Sequence, residues 1–457
     1  MLRSDNDLDV VLVVGAAGSV GSGITEAFRS SSRWEVIAVD PDLEVRDGDE
    51  DGDGDDGDVN RNRNGDGSVA TIVPIRVEDV PESTFRLWFA DRRDSEEGGG
   101  EESGGGGWGC SEVIYAAEDG NRDSYDDGSS SADAKGDGDG GGPMRKTTLG
   151  SRNSERFRSF AHRVAGAVRA DGGADDDSGR RQGGRRRRRV HISYAGGSWT
   201  RREPSFPHGN NGSLSGGESD GPLPHPVVGD ASPAKSGGGS NPYEVAKTLA
   251  ESVARSVVVD INAPPDDLDD GSVIVDITFL DYISVVPNYA PNFSMGRMVR
   301  SALETGIVRY SDGDYGRPLL HAIQAGEAVA AMSDRRRRKE GKNVEEEEVK
   351  KDGVGRGTFK TALIPGAFVP FSAFAEVARE VVTTAQRGIA RGDVRLEPLR
   401  PDGTPEHLRS RCISNRLWEE VGFLPDRSAA VDGLRDAATK ALEAWEEEKK
   451  DKKKKII

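Results

Sequence analysis

The sequence predicts an α/β protein: a doubly wound parallel sheet, a small C-terminal lobe and several disordered low-complexity insertions. Three observations carry that reading. Residues 10–14 (VVLVV) and 34–39 (WEVIAV) are unbroken apolar runs rich in β-branched side chains, the pattern of strands buried on both faces. Between them, the turn Gly15-Ala16-Ala17-Gly18-Ser19-Val20-Gly21 leads straight into a helical segment. Finally, the 59 glycines and the charged residues are bunched rather than spread. Segments 44–68, 91–107, 119–152, 171–188, 201–239 and 333–357 hold Gly, Asp, Ser, Arg and Glu with almost no apolar periodicity. Such segments bury too little apolar surface to order themselves. Setting them aside leaves about 300 residues, a size suited to one large core or a core with a small lobe.

The elements follow in order. The first strand, 10–14, precedes the glycine turn. A helix over 22–30 places Ile24, Ala27 and Phe28 on one face, and a second strand, 34–39, ends in Asp40. Glycines permit a tight turn and close backbone approach to a pyrophosphate, and the helix N-terminus adds N–H groups and a positive dipole. Asp40 stands where an acid accepts both ribose hydroxyls of an adenosine and repels a 2′-phosphate, so NAD is favoured over NADP. The cofactor-binding residues expected here are Gly15, Ala17, Gly18, Ser19, Val20, Gly21 and Asp40.

A third strand is expected over 71–77 (TIVPIRV) and a fourth over 112–117 (EVIYAA), where Ala116 and Ala117 let a backbone pass close to the dinucleotide. Phe157, Phe160, Ala161, Val164, Ala165 and Val168 recur at helical spacing. A fifth strand, Val190-His191-Ile192-Ser193-Tyr194-Ala195, then runs into Gly196-Gly197-Ser198. The helix that starts Asn241-Pro242-Tyr243-Glu244-Val245-Ala246-Lys247 puts Tyr243 and Lys247 at i and i+4, on one face. Residues 273–279 form a further alternating strand.

Glycine spacing of three, the paired alanines and the Pro-Tyr-x-x-x-Lys helix together resemble the extended short-chain dehydrogenase/reductase superfamily, in particular the NAD-dependent epimerase/dehydratase family. The likeness extends to Val285-Val286-Pro287-Asn288-Tyr289, to Gly316-Arg317-Pro318-Leu319-Leu320-His321 with Gln324 at a usual Asp, and to the closing Gly422-Phe423-Leu424-Pro425. It implies a Rossmann-type domain over 8–284, a substrate-binding lobe mainly over 285–440, and a charged tail over 441–457. It further implies NAD as cofactor and hydride transfer at the hydroxyl or carbonyl carbon of a sugar nucleotide or another small carbonyl compound. Tyr243 is then the acid/base, Lys247 holds the nicotinamide ribose and lowers the tyrosine pKa, and a serine steadies the substrate oxygen. Aligned on its apolar start, the fifth strand puts Tyr194 at the Ser/Thr position. Ser193 lies one place earlier and Ser198 in the turn; Ser193 is favoured. Asn288 and Arg317 are the expected substrate contacts. Ala195 and Gly196 replace the Asp-Glu pair of sugar 4,6-dehydratases, which disfavours elimination. A non-catalytic NAD-binding regulator or scaffold on the same fold is the alternative.

Charge and composition set the remaining expectations. Cys110 and Cys412 make no disulfide framework and sit in no metal-ligand spacing, so no metal is expected. The net charge is −18, and the basic runs at 185–189 and 335–339 stand beside acidic ones without interleaved aromatics, which argues against nucleic acid. No apolar run approaches a membrane span, and little precedes residue 10 for a leader peptide. A cytoplasmic protein with a small-molecule substrate is expected, with a homodimer left open.

Overall fold

The structure, a computed structural model, describes residues 8–43, 61–63, 69–90, 107–117, 149–171, 188–196, 242–263, 273–282, 284–287, 289, 293–311, 316–346, 357–364, 366–385, 394–399 and 425–456. The chain begins with β1 (Asp9–Val14), α1 (Ser19–Arg29) and β2 (Trp34–Val39), and both strands are buried almost throughout. Helix α1 starts three residues earlier than the sequence pattern suggests. Gly18, extended at φ −65° and ψ 160°, caps it, so the glycine turn flows directly into the first helical turn.

Next come β3 (Arg61–Arg63), β4 (Val69–Val73), α2 (Glu82–Phe89), β5 (Glu112–Tyr115), α3 (Leu149–Asp171), β6 (Arg189–Ala195), α4 (Pro242–Asn262) and β7 (Ile274–Tyr282). Strand β4 ends at Val73, not at 77. Pro74 has no N–H to continue the ladder, and the Ile75 N–H turns back to the Val73 carbonyl. Strand β3 lies inside a segment read as a disordered insert and pairs antiparallel with β4. Among the described residues the main sheet has the order β11-β7-β6-β5-β1-β2-β4-β3, where β11 is Phe359–Ile364. All its pairings except β3·β4 are parallel. This is the Rossmann-type doubly wound arrangement.

One face of the sheet carries α3 and α4, with Phe157 of α3 packed on Tyr115 and Tyr194 and with Phe279 in the same core. The opposite face carries α1 and α6 (Ala322–Glu346) around Val11, Val13, Phe28, Trp34 and Leu320. Helices α1 and α6 meet through glycine. A Cβ on Gly23 would stand 2.0 Å from the Ala322 carbonyl oxygen, and one on Gly326 would stand 2.3 Å from that of Gly23.

A second core gathers α5 (Ser294–Thr305), α7 (Phe371–Ala385) and α8 (Arg427–Ile456) around Met295, Val299, Phe374, Leu434 and Ala438. Against it lie the small sheet of β8 (Val285–Val286), β10 (Gly316–His321) and β12 (Ala367–Pro370), and the parallel pair β9 (Ile307–Ser311) and β13 (Arg395–Leu399).

Three sequence boundaries need correction. The main sheet does not close at 284, because α6 and β11 return to it and β11 pairs with β7. Helix α6 runs on to Glu346 through a stretch read as an insert. There Asp334 accepts from the Trp34 indole (3.1 Å), and Arg336 pairs with the fully buried Glu112 (3.0 Å). The stretch beyond 441 is the end of α8, with Leu442 buried and Trp445 packed on the second core. Among the described residues no helix is long and apolar enough to cross a membrane.

Candidate functional site

Strand β1 lies between β2 and β5, the point where strand order reverses and where open α/β sheets bind ligands beyond their carboxyl ends. The glycine turn fills that point. Gly15 has φ +81°, a conformation glycine adopts without strain. A Cβ there would lie 2.5 Å from the Ala117 nitrogen, so the turn and the segment after β5 touch backbone to backbone. At Gly21 a Cβ would lie 1.9 Å from the Gly15 carbonyl oxygen, which ties the first turn of α1 to β1. Gly18 is different: its Cβ would meet only the Gly15 oxygen, at 3.4 Å.

Ala17, Gly18 and Ser19 are exposed, and no side chain caps α1. The first N–H groups of a helix have no intrahelical carbonyl and carry its positive end. Asp40, at the end of β2, joins this cradle. Its carboxylate accepts the Ala17 N–H (3.2 Å) through one oxygen and the Asp42 N–H (2.9 Å) through the other. Its own N–H donates to the Val73 carbonyl (3.2 Å), so β4 fixes its height. Val20 and Ala116 are half-buried at the edge of the core on the α1 face. The sequence-predicted set Gly15, Ala17, Gly18, Ser19, Val20, Gly21, Asp40, Ala116 and Ala117 is therefore gathered at one crevice.

The β6 residues fall differently. Tyr194 is fully buried, stacked on Phe157 (4.1 Å between centroids) and edge-on to Tyr115 and Phe279. It is a core aromatic on the α3/α4 face. Side chains alternate along a strand, so Ser193 shares the α1/α6 face with Ala195, opposite α4. It also sits level with Val13, Ile114 and Thr278, two residues before the end of β6. Ser193 is thus buried within the sheet and is not brought to the helix that carries Tyr243. Ser198 lies outside the described residues.

Tyr243 is in the first turn of α4, with its side chain outside the described residues, and Lys247 is buried one turn later. Asn288 and the Gly422-Phe423-Leu424 motif lie outside the described residues. Arg317 of β10 is half-buried, with its guanidinium 5.9 Å from the Phe371 ring centroid.

Two polar groups stand near the carboxyl edge: Tyr282, which escaped the sequence reading, and Gln324, read there only as a replacement for a usual Asp. Tyr282 closes β7 with its hydroxyl buried, and Gln324 opens α6 with Oε1 buried; neither atom has a hydrogen-bond partner among the described residues. Burial pushes the Tyr282 phenol well above its ordinary range. The available signal was the Asp281-Tyr282 close of an apolar strand, at the end where such sheets bind ligands.

No family model and no curated protein sequence matches the chain. Solved structures do resemble it. One is UDP-glucuronic acid 4-epimerase from Bacillus cereus in complex with UDP-glucuronic acid and NAD, at 13% identity, covering 95% of this chain and 99% of that one, with a TM-score of 0.45. A second is UDP-N-acetylglucosamine 4-epimerase from Methanobrevibacter ruminantium M1 in complex with UDP-N-acetylmuramic acid, at 14% identity, 96% and 99% coverage and a TM-score of 0.47. A third is DesIV, a dTDP-glucose 4,6-dehydratase from Streptomyces venezuelae with NAD and TYD bound, at 15% identity, 95% and 97% coverage and a TM-score of 0.44.

Proposed function

We propose that the chain is an NAD-dependent oxidoreductase or epimerase acting on a sugar nucleotide or another small carbonyl substrate. The observation that carries the reading is the Asp40 carboxylate fastened to the Ala17 N–H beside an uncapped helix start. A carboxylate so placed accepts ribose hydroxyls and repels a 2′-phosphate, which selects NAD over NADP. The exposed turn at Ala17, Gly18 and Ser19 would hold the pyrophosphate, and Gly15, Ala116 and Ala117 keep the crevice narrow. When bound, NAD supplies hydride acceptance and return at a hydroxyl or carbonyl carbon.

The chain's own part is proton movement and orientation. Tyr243 gives or takes the substrate hydroxyl proton. A free phenol titrates near ~10 and is a poor base at neutral pH; the Lys247 ammonium, at i+4 on α4, favours the phenolate. Arg317 offers a guanidinium suited to a substrate diphosphate, and Asn288 is the second substrate contact that the resemblance implies.

A second reading, an NAD-binding module without turnover, draws on the placement of Ser193 on the face away from α4 and of Tyr194 in the core. One experiment addresses both. Mass spectrometry of small molecules released from the purified chain should show NAD, and an assay over a panel of sugar nucleotides and carbonyls should then show turnover. NAD without turnover over the whole panel favours the module; absence of NAD binding in titration removes both readings.

A further inference from the structure

Away from the glycine turn, a cavity of about 740 Å³ opens in the second lobe, where the C-terminal end of α5, the starts of β9 and β13 and the last turns of α8 meet. Its floor is apolar, from Leu303, Ile307 and Val394. Its walls are charged and unbalanced. Arg300, Arg395, Lys449 and Lys452 face two carboxylates, Glu304 and Glu448. This excess of two cations stands on a chain whose net charge is −18, so overall composition does not account for it.

The pairing sharpens the imbalance. Glu448 alone serves both Arg300 (3.3 Å) and Lys452 (2.6 Å). The Lys449 ammonium lies 3.6 Å above the Trp445 ring centroid, and neither it nor the Arg395 guanidinium has a carboxylate partner among the described residues. Arg395 is held from the other side, its backbone N–H donating to the Gly306 carbonyl (2.9 Å). Two unneutralised cations, one a planar fork and one a point charge, thus sit on the rim of a cavity with an apolar floor. We propose that this cavity binds a phosphate-bearing small anion, with the phosphate at Arg395 and Lys449 and any organic portion against Leu303, Ile307 and the edge of Trp445. A phosphate group carries about −1.5 to −2 at neutral pH and matches the local excess. The volume exceeds a bare phosphate and falls within the ordinary range for small-molecule sites.

The test uses the full chain saturated with NAD, so that the glycine turn does not compete, and titrates it calorimetrically with inorganic pyrophosphate and with phenyl phosphate. At least one probe should bind at one equivalent, weaken as salt rises, and bind about tenfold or more weakly to the Arg395→Ser/Lys449→Ser variant. Both side chains lie at the surface, so unchanged thermal unfolding and unchanged NAD titration are expected of the variant. Tighter binding of phenyl phosphate identifies an organic phosphate as the occupant, and tighter binding of pyrophosphate an inorganic one. Binding of neither probe, or equal binding to the variant, overturns the proposal. Because the contrast is between this chain and the rim variant, it reads the cavity even if NAD fails to bind at the turn.

Discussion

The Asp40 carboxylate at the end of β2 accepts the N–H of Ala17 in the glycine turn, across 23 residues of sequence and 3.2 Å of space. One side chain thus joins the two structures that a dinucleotide would touch, the turn and the carboxyl end of the neighbouring strand. The same carboxylate takes the Asp42 N–H, which holds it in place. Replacing Asp40 with Ala should therefore weaken NAD binding more than NADP binding. Hydrogen bonds to charged groups are worth about 1.5–3 kcal/mol, so NAD affinity should fall by about tenfold or more and the gap between the cofactors should narrow. Tighter binding of NADP by the unaltered chain would contradict the role given to Asp40.

Two glycines of the turn should separate folding from ligand binding. Gly15→Ala forces a side chain into a left-handed backbone and to within 2.5 Å of the Ala117 nitrogen. It should cost about 1–3 kcal/mol in thermal or denaturant unfolding. Gly18→Ala meets only one atom, at 3.4 Å, on an ordinary backbone. It should lower stability by less than about 1 kcal/mol, yet crowd the surface where the pyrophosphate is proposed to lie and weaken NAD binding. Equal stability losses for the two variants would remove the steric argument.

The basic run at 335–338 should prove unequal, residue by residue. Arg336 contacts both oxygens of the fully buried Glu112 at 3.0 Å, whereas Arg338 is exposed. Arg336→Ala leaves a carboxylate buried without its ion-pair partner and should cost about 3–5 kcal/mol. Arg338→Ala should stay within about 0.5 kcal/mol. Restoring neutrality with Arg336→Met and Glu112→Gln together should recover much of the loss. The readout is equilibrium unfolding in urea.

Cys110 gives a pH prediction. Burial pushes its thiol up to about 12, and its Sγ donates to the Glu112 carbonyl (3.3 Å). A thiol exposed in the unfolded chain titrates near ~8.5. The folded state therefore keeps its proton where the unfolded state loses it. The stability this contributes is complete below about pH 8.5 and is lost as pH rises from there toward 12, at up to about 1.4 kcal/mol per pH unit. The Cys110→Ala variant should show a flatter decline between pH 8.5 and 10, and Cys110 in the folded chain should resist thiol reagents at pH 8. Rapid labelling of Cys110 without unfolding would contradict its burial.

What the sequence made legible was local. Strand, glycine turn, helix, strand and acid lie within 32 residues, and each step follows from neighbours a few positions away. Ser193 and Tyr194 were harder, because the motif speaks of residue type whereas strand parity decides which face each occupies. Only the packing of Tyr194 on Phe157 and Phe279 settles that parity. Composition misled at α6. A run of arginines looks like a solvated loop until Asp334, Arg336 and Arg337 find Trp34, Glu112 and Ser111, all more than 200 residues away. Strand β3 escaped for a like reason: three residues, Arg61–Arg63, carry no apolar signal and owe their form to the edge of β4.

In the proposed reaction the chemistry rests on Tyr243 and Lys247, and their variants should separate an enzyme from a binding module. Tyr243→Phe keeps the ring but removes the proton carrier. Folding and NAD affinity should survive, while turnover falls by about 10²–10⁴, the usual worth of a positioned acid/base. Lys247→Ala removes an ammonium that is buried on α4 and assigned both to the phenolate and to the nicotinamide ribose, so it should harm NAD binding and turnover together. Ser193→Ala, in the middle of β6 on the face away from α4, should leave turnover within a few-fold if the substrate oxygen is steadied elsewhere. The assay needs a substrate, so a hit from the carbonyl panel comes first. A hit whose rate stays within a few-fold in Tyr243→Phe would mean that another group moves the proton. The fold would then be the one described here, with its chemistry carried by a residue other than Tyr243.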